Sequence, residues 1–169
     1  MSPIVSADIV WRLSGGAANV SPAASLGGVM SADDDGVIVD NVMNNLWDDV
    51  SGAEATVGDT EFRGVYVVNE HATLTLESAV VWIEEQTASP DTAITIAVAA
   101  EGTMATIATE SDPTTGVVFS SPATKDAGLA LGDLSPGEAR GIWIRRVVSQ
   151  EARPSLDNSR LRVEGVTSG

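Results

Sequence analysis

The chain offers one imidazole, no thiol and an excess of carboxylates, and these bound the chemistry open to it. His71 is the only histidine, so a His-based metal site or a Ser-His pair has a single candidate. It sits in Asn69-Glu70-His71-Ala72-Thr73, which reads as a hairpin or loop between two strands, where a histidine is far more often a solvated turn residue than a catalyst. The absence of cysteine removes disulfides, thiolate nucleophiles and Cys-ligated zinc together. No serine lies in G-x-S-x-G, and neither a phosphate-binding G-x-x-x-x-G-K-[ST] nor a dinucleotide G-x-G-x-x-G following a strand is present.

Carboxylate pairs remain. Glu84-Glu85, Asp48-Asp49 and Asp59 with Glu61 have the residue types that glycoside cleavage needs, an acid and a base several ångströms apart across a sugar. With 24 acidic residues in 169, such pairs arise by composition alone, so no enzymatic role and no cofactor is expected. Asp33-Asp34-Asp35-Gly36 begins like a calcium loop but lacks the D-x-[DN]-x-[DN]-G spacing and the distal glutamate. No metal ligand set is therefore assigned.

The elements that would position these groups read as strands. Helical periodicity is nearly absent, and β-branched and aromatic residues fall into short runs separated by Gly, Pro, Asp, Asn and Ser. The runs predict strands at about 4–13, 37–42, 62–68, 73–84, 93–99, 103–109, 116–119, 139–149 and 159–164. The fold class that follows is all-β: an antiparallel sandwich, immunoglobulin-like or jelly-roll-like, with an extended N-terminal segment. Residues 1–35 form a first strand and an extended arm or loop, and residues 36–169 the sandwich. The stretch 14–35 is small-residue-rich and longer than compact domains tolerate without a purpose, which predicts an arm ordered against a neighbour. Residues 41–49 predict a single helical turn or an irregular connection.

Three local readings can be checked. Ile142, Ile144, Arg146 and Val148 share one strand face and Trp143, Arg145 and Val147 the other, which predicts a core on one side and a partner or covering loop on the other. The switch from alternating Leu74 and Leu76 to continuous Val80-Val81-Trp82-Ile83 predicts a bulge or turn near Glu77 to Ala79. Ser135-Pro136-Gly137-Glu138 predicts a type II turn, proline presetting φ and glycine supplying the positive φ.

Charge sets the partners. Nine Lys+Arg against 24 Asp+Glu give 9 − 24 = −15, which excludes packaged nucleic acid and anionic membranes as expected partners. No apolar run reaches the length of a membrane span, and Met1-Ser2-Pro3-Ile4 lacks the features of a signal peptide, so an aqueous, cytosolic setting is expected. Scarce lysine beside abundant acids also suits a saline habitat. Of the tryptophans Trp11, Trp47, Trp82 and Trp143, three lie in strand patterns where packing is the commoner use.

Phe62-Arg63-Gly64-Val65-Tyr66-Val67-Val68-Asn69 with its following turn and strand resembles the strand-Asn-turn-strand unit of immunoglobulin-like sandwiches, the asparagine closing a hairpin, and Leu134-Ser135-Pro136-Gly137-Glu138 resembles the corner before a late strand. Asn45-Leu46-Trp47-Asp48-Asp49-Val50-Ser51-Gly52-Ala53-Glu54-Ala55, with Gly58-Asp59-Thr60-Glu61-Phe62-Arg63, Gly116-Val117-Val118-Phe119-Ser120 and Gly141-Ile142-Trp143-Ile144-Arg145-Arg146, is similar to structural proteins of tailed-bacteriophage virions. That similarity runs from Asp8 to Gly165. It implies a non-enzymatic decoration or cement protein of the head, assembled in the host cytoplasm and located in the virion. Its expected partners are the major capsid protein or other virion proteins and, as a homo-oligomer, further copies of itself. A tail or head-fibre component, or a glycan-binding module using exposed tryptophans, are the alternatives. Candidate interface residues are Trp11, Arg12, Leu26, Trp47, Trp143, Arg145 and Arg146, since Trp and Arg anchor interfaces.

Overall fold

The computed structural model describes residues 3–167. Its strands are β1 (Ile9–Leu13), β2 (Asp59–Asn69), β3 (Leu76–Glu85), β4 (Thr92–Val98), β5 (Leu129–Leu134), β6 (Ala139–Val148) and β7 (Arg160–Thr167). They form two antiparallel sheets, a four-stranded one ordered β1-β2-β6-β4 and a three-stranded one ordered β5-β3-β7. The fold is the expected β-sandwich. From β2 onward each successive strand lies in the opposite sheet, so every connection crosses the sandwich and none is a hairpin. The segment after Asn69 is therefore an arch between sheets, which corrects the expectation that the asparagine closes a hairpin. Asn69, fully buried, donates through Nδ2 to the carbonyls of Leu74 and Leu134, both at 2.8 Å, and so ties the arch to the end of β5.

Alternation along the strands builds two apolar layers. Val65 and Val67 of β2, Ile142 and Ile144 of β6, and Ile94 and Ile96 of β4 face Leu76, Val81, Ile83, Leu131 and Leu134 of the other sheet. The opposite face of the four-stranded sheet carries Phe62, Tyr66, Val68, Ala97 and Trp143, covered by the loops holding Met30, Met104, Ile107 and Phe119. The face of β6 that bears Trp143 is thus covered by the protein's own loops. Gly64 pairs with Trp143 and Tyr66 with Gly141, so each aromatic sits beside a glycine on the neighbouring strand. A Cβ at Gly141 would stand 2.5 Å from Met104 Cγ, and one at Gly64 2.9 Å from Met104 Cε, so both glycines make room for that methionine.

The expected arm lies on its own domain. Leu13 accepts from the Ser31 amide, Ser25 from the Gly64 amide and Leu26 from the Ile107 amide, while the side chains of Ser14, Ser25 and Ser31 are buried. Small residues are needed there because the segment passes close over the sheet: a Cβ on Gly27, whose φ is +85°, would meet the Ala105 carbonyl oxygen at 1.9 Å.

The bulge and turn expectations hold. Register shifts separate Leu76, Ala79 and Val80, with Ser78 at φ 50°, and the Glu138 amide donates to Ser135 across a turn with Gly137 at φ 78°. Other boundaries move. The first strand begins at Ile9, after a 3-10 turn over Ser6–Asp8, instead of at Ile4. Residues 37–42, 103–109 and 116–119 are not strands: the first two make isolated bridges at Val37 and Met104, and the third is loop ending beside a bridge at Ser120. Residues 41–49 are irregular, and the helix, α1, is Gly52–Val57. Ser51 accepts from the Glu54 amide at 3.2 Å and Glu54 Oε2 accepts from the Ser51 amide at 2.6 Å, a capping box.

Candidate functional site

Polar side chains converge at the end of the sandwich where β1 stops short of covering β2. β1 pairs only with residues 65–69 of β2, which leaves the edge of residues 59–64 open. Irregular segments occupy it: the Gly64 amide donates to Ser25 at 2.7 Å and the Phe62 amide to Glu110 at 2.8 Å, and Leu46 and Trp47 pack against the core beside them. Alternation then turns Glu61 and Arg63 of β2 and Arg146 of β6 inward among apolar residues, with Glu61 and Arg146 directly paired across the strands. They are 1%, 0% and 8% exposed.

Charges this deep must be paired. The Arg146 guanidinium donates to Glu61 Oε2 and to the Asp48 carbonyl at 2.9 Å, and its Nη2 lies 3.3 Å from Asp48 Oδ1. Arg63 donates to Glu110 Oε2. Both guanidiniums lie against the Trp47 ring, Arg63 at 5.2 Å and Arg146 at 4.9 Å from its centroid, so one indole contributes cation–π attraction to each. Burial raises the pKa of Glu61 above the ordinary carboxylate value; Arg146 opposes this without overcoming it.

Oxygens of Asp48, Glu61 and Glu110 lie within 4.8 Å of one another, a carboxylate grouping of the kind a divalent ion could use. Arg63 and Arg146 already supply two positive charges at that spot, and each carboxylate has one oxygen paired with a guanidinium. A carboxyl with a raised pKa is suited to general-acid work, but Glu61 is 1% exposed, beneath segment 46–48 and the loop at Glu110. What the arrangement does is clamp segment 46–48 and the loop at Glu110 onto the sheet.

The other candidate carboxylates are engaged elsewhere. Glu84 and Glu85 lie on the outer side of the three-stranded sheet, where Arg162 donates to Glu84 at 2.6 Å and Arg160 lies 3.4 Å from Glu85. This arginine pairing lowers the pKa of Glu84. His71 accepts at Nδ1 from the amides of Thr73 and Leu74, at 3.2 and 3.0 Å, and so shapes the arch. Asp33 accepts from the Asp35 amide at 3.0 Å and caps a 3-10 turn, Asp34–Gly36.

The predicted interface residues are dispersed. Trp143, 2% exposed, lies under the loops, and Arg146 belongs to the buried clamp, so both serve the interior instead of an outer contact. Arg145 donates to Thr95 Oγ1 at 3.0 Å and stacks on Phe119. Arg12 pairs with Glu70 at 2.8 Å, and Trp11 packs on the core between the sheets. Leu26 is half-buried within the segment that crosses the sheet. Trp47, though half-buried, has the two guanidiniums over its ring, and Trp82 is buried beneath Arg162, so the tryptophans form no open platform. Trp47 and Arg146 are brought together by the fold, but inward.

Sequence reasoning missed an exposed apolar depression. Val20, Pro22, Val37, Val39, Val42 and Met43 line it, and Val20, Val39, Val42 and Met43 are each at least half exposed. The signal was present in Val37-Ile38-Val39-Asp40-Asn41-Val42-Met43, of which residues 37–42 read as a strand. No protein-family model matches the chain, and no curated protein or solved structure matches it either.

Proposed function

We propose that this protein is a structural, non-enzymatic component of a tailed-bacteriophage virion, a decoration or cement protein that binds and stabilises the head shell. The observation that supports a protein-holding role is how its charge is spent. Eight of the nine Lys and Arg residues make ion pairs within the chain, and the ninth, Arg145, stacks on Phe119. The exterior left over is acidic, which repels DNA and suits attachment outside a shell filled with it. The clamp supports the same reading: a cement needs a fixed surface, and the buried pairs hold irregular segments to the sheet without disulfides. Trp47 and Trp143, whose rings are occupied, give the glycan reading no support.

The test is binding of the purified protein to DNA-free heads assembled from the shell protein encoded in the same genome. Binding with a raised temperature of head disruption is the expected result. Absence of binding at micromolar concentration overturns the proposal, and binding to isolated tails in place of heads moves the protein to the tail.

A further inference from the structure

The depression beside β1 is where exposed apolar side chains gather. Ile38 donates to the Trp11 carbonyl at 2.8 Å, which fixes the start of the segment to β1. Asn41 and Asn44, at φ 59° and 57°, then bend the chain in the left-handed region that asparagine tolerates. Between them Val42 and Met43 are held out, 52% and 73% exposed, facing Val20 and Pro22 of the segment that crosses the sheet. The other apolar residues more than half exposed, Val5, Val29, Val57, Val118, Leu156 and Val166, lie outside its lining. Four large apolar side chains on one concave surface are the pattern of an interaction site; single ones are ordinary.

Charge identifies the occupant. Asp35 lines the depression, Asp33, Asp34 and Asp40 flank it in sequence, and all four are exposed with carboxylates that make no ion pair among the described residues, Arg12 reaching only the backbone carbonyl of Asp33. A second copy of the chain would bring the same acids and its own charge of −15, with its cations already engaged. It would meet repulsion where attraction is needed. We propose that the depression formed by Val20, Pro22, Val39, Val42 and Met43 docks an apolar segment flanked by lysine or arginine on a different protein. This inference rests on the virion reading only for the partner's location; the surface and its chemistry stand on the geometry and charge.

Two probes separate the two claims. The first is a short fluorescent peptide with a leucine core and lysine flanks, compared with the same core flanked by glutamate and with a serine core flanked by lysine. The second is the DNA-free head. The variants are Val42→Ser with Met43→Ser and Asp35→Asn with Asp40→Asn, and Val118→Ser serves as a control. All alter exposed positions, and circular dichroism confirms their fold. The lysine-flanked leucine peptide should bind best, and each double variant should weaken both peptide and head binding by about tenfold, 1.4 kcal/mol, while the control leaves them unchanged. Equal binding of all three peptides, or head binding unaffected by the Val42 and Met43 changes, overturns the docking site. In the latter case the virion reading survives. Peptide binding lost in the double variants without any binding of heads supports the site and removes the virion reading. A dimer that Val42→Ser with Met43→Ser dissociates assigns the surface to a second copy and overturns the proposed occupant.

Discussion

Glu61 and Arg146 are paired, but their burial makes them unequal. Glu61 has Arg146 as its ion-pair partner, whereas Arg146 also reaches the carbonyl and carboxylate of Asp48. Removing the arginine leaves an enclosed carboxylate stranded, and Arg146→Met should cost about 3 kcal/mol or more at neutral pH by urea unfolding. Glu61→Gln should cost about 1 kcal/mol or less, because it removes a charge whose burial is already unfavourable and leaves Arg146 with Asp48. Adding Glu61→Gln to Arg146→Met should recover stability; a purely additive pair would contradict this coupling. The pH dependence has a definite sign. A carboxyl whose folded pKa lies above the unfolded value of 4.5 binds more protons when folded, so its contribution falls as pH rises through that interval. The cost of Arg146→Met should therefore shrink on acidification towards pH 4.5, as Glu61 takes up its proton. Glu84 runs the other way: its folded pKa lies below 4.5, so its contribution is present above that value and is lost as pH falls through the folded one. Glu84→Gln should flatten the acid limb of the stability profile. At this scale the sequence was least legible. Alternation placed Arg146 on the same face as Ile142 and Ile144, but Asp48 lies 98 residues away and Glu61 85, and nothing local reveals that the face closes around them.

The elements were legible where pattern and burial agree. β2 and β6 are buried almost continuously because both faces are covered, one by the opposite sheet and one by loops. β5 was missed because Leu129-Ala130-Leu131-Gly132-Asp133-Leu134 carries glycine and aspartate, which read as loop, while only Leu131 and Leu134 are buried. Residues 103–109 and 116–119 misled in the opposite direction: Met104, Ile107, Val117 and Phe119 are apolar because they roof the outer face of β2 and β6, not because they extend a sheet. The helix had a readable signal in Ser51-Gly52-Ala53-Glu54, whose spacing is that of a capping box. Tyr66 holds the roof at one point, donating to the Gly28 carbonyl at 2.7 Å and accepting from the Met104 amide at 2.9 Å. Tyr66→Phe leaves both backbone groups unpaired and should cost about 2 kcal/mol, with hydrogen exchange at the Met104 amide accelerated. Unchanged exchange there would show that the roof does not depend on the hydroxyl. Gly27→Ala should be more damaging, about 3 kcal/mol, because the new methyl meets backbone at a positive φ.

The whole molecule carries a surplus of fifteen negative charges, formal net charge −15, over a surface whose ion pairs are mostly exposed. Salt weakens both the surplus repulsion and the surface pairs. Exposed pairs contribute little each, so relief of repulsion dominates, and the melting temperature should rise between low and molar salt. A fall would mean that the ladder of Arg160, Glu84, Arg162 and Glu164 carries more of the stability than its exposure suggests. The sandwich and its acidity were both readable from composition and strand pattern; the depression at Val42 and Met43 was not, because an apolar run does not say which of its residues the fold leaves outside. The most direct test of the central claim is a cryo-electron microscopy map of the intact particle at a resolution that traces chains. The expected result is this sandwich on the outer shell with residues 39–43 against a basic, apolar segment of a shell subunit. A particle without the chain would contradict it.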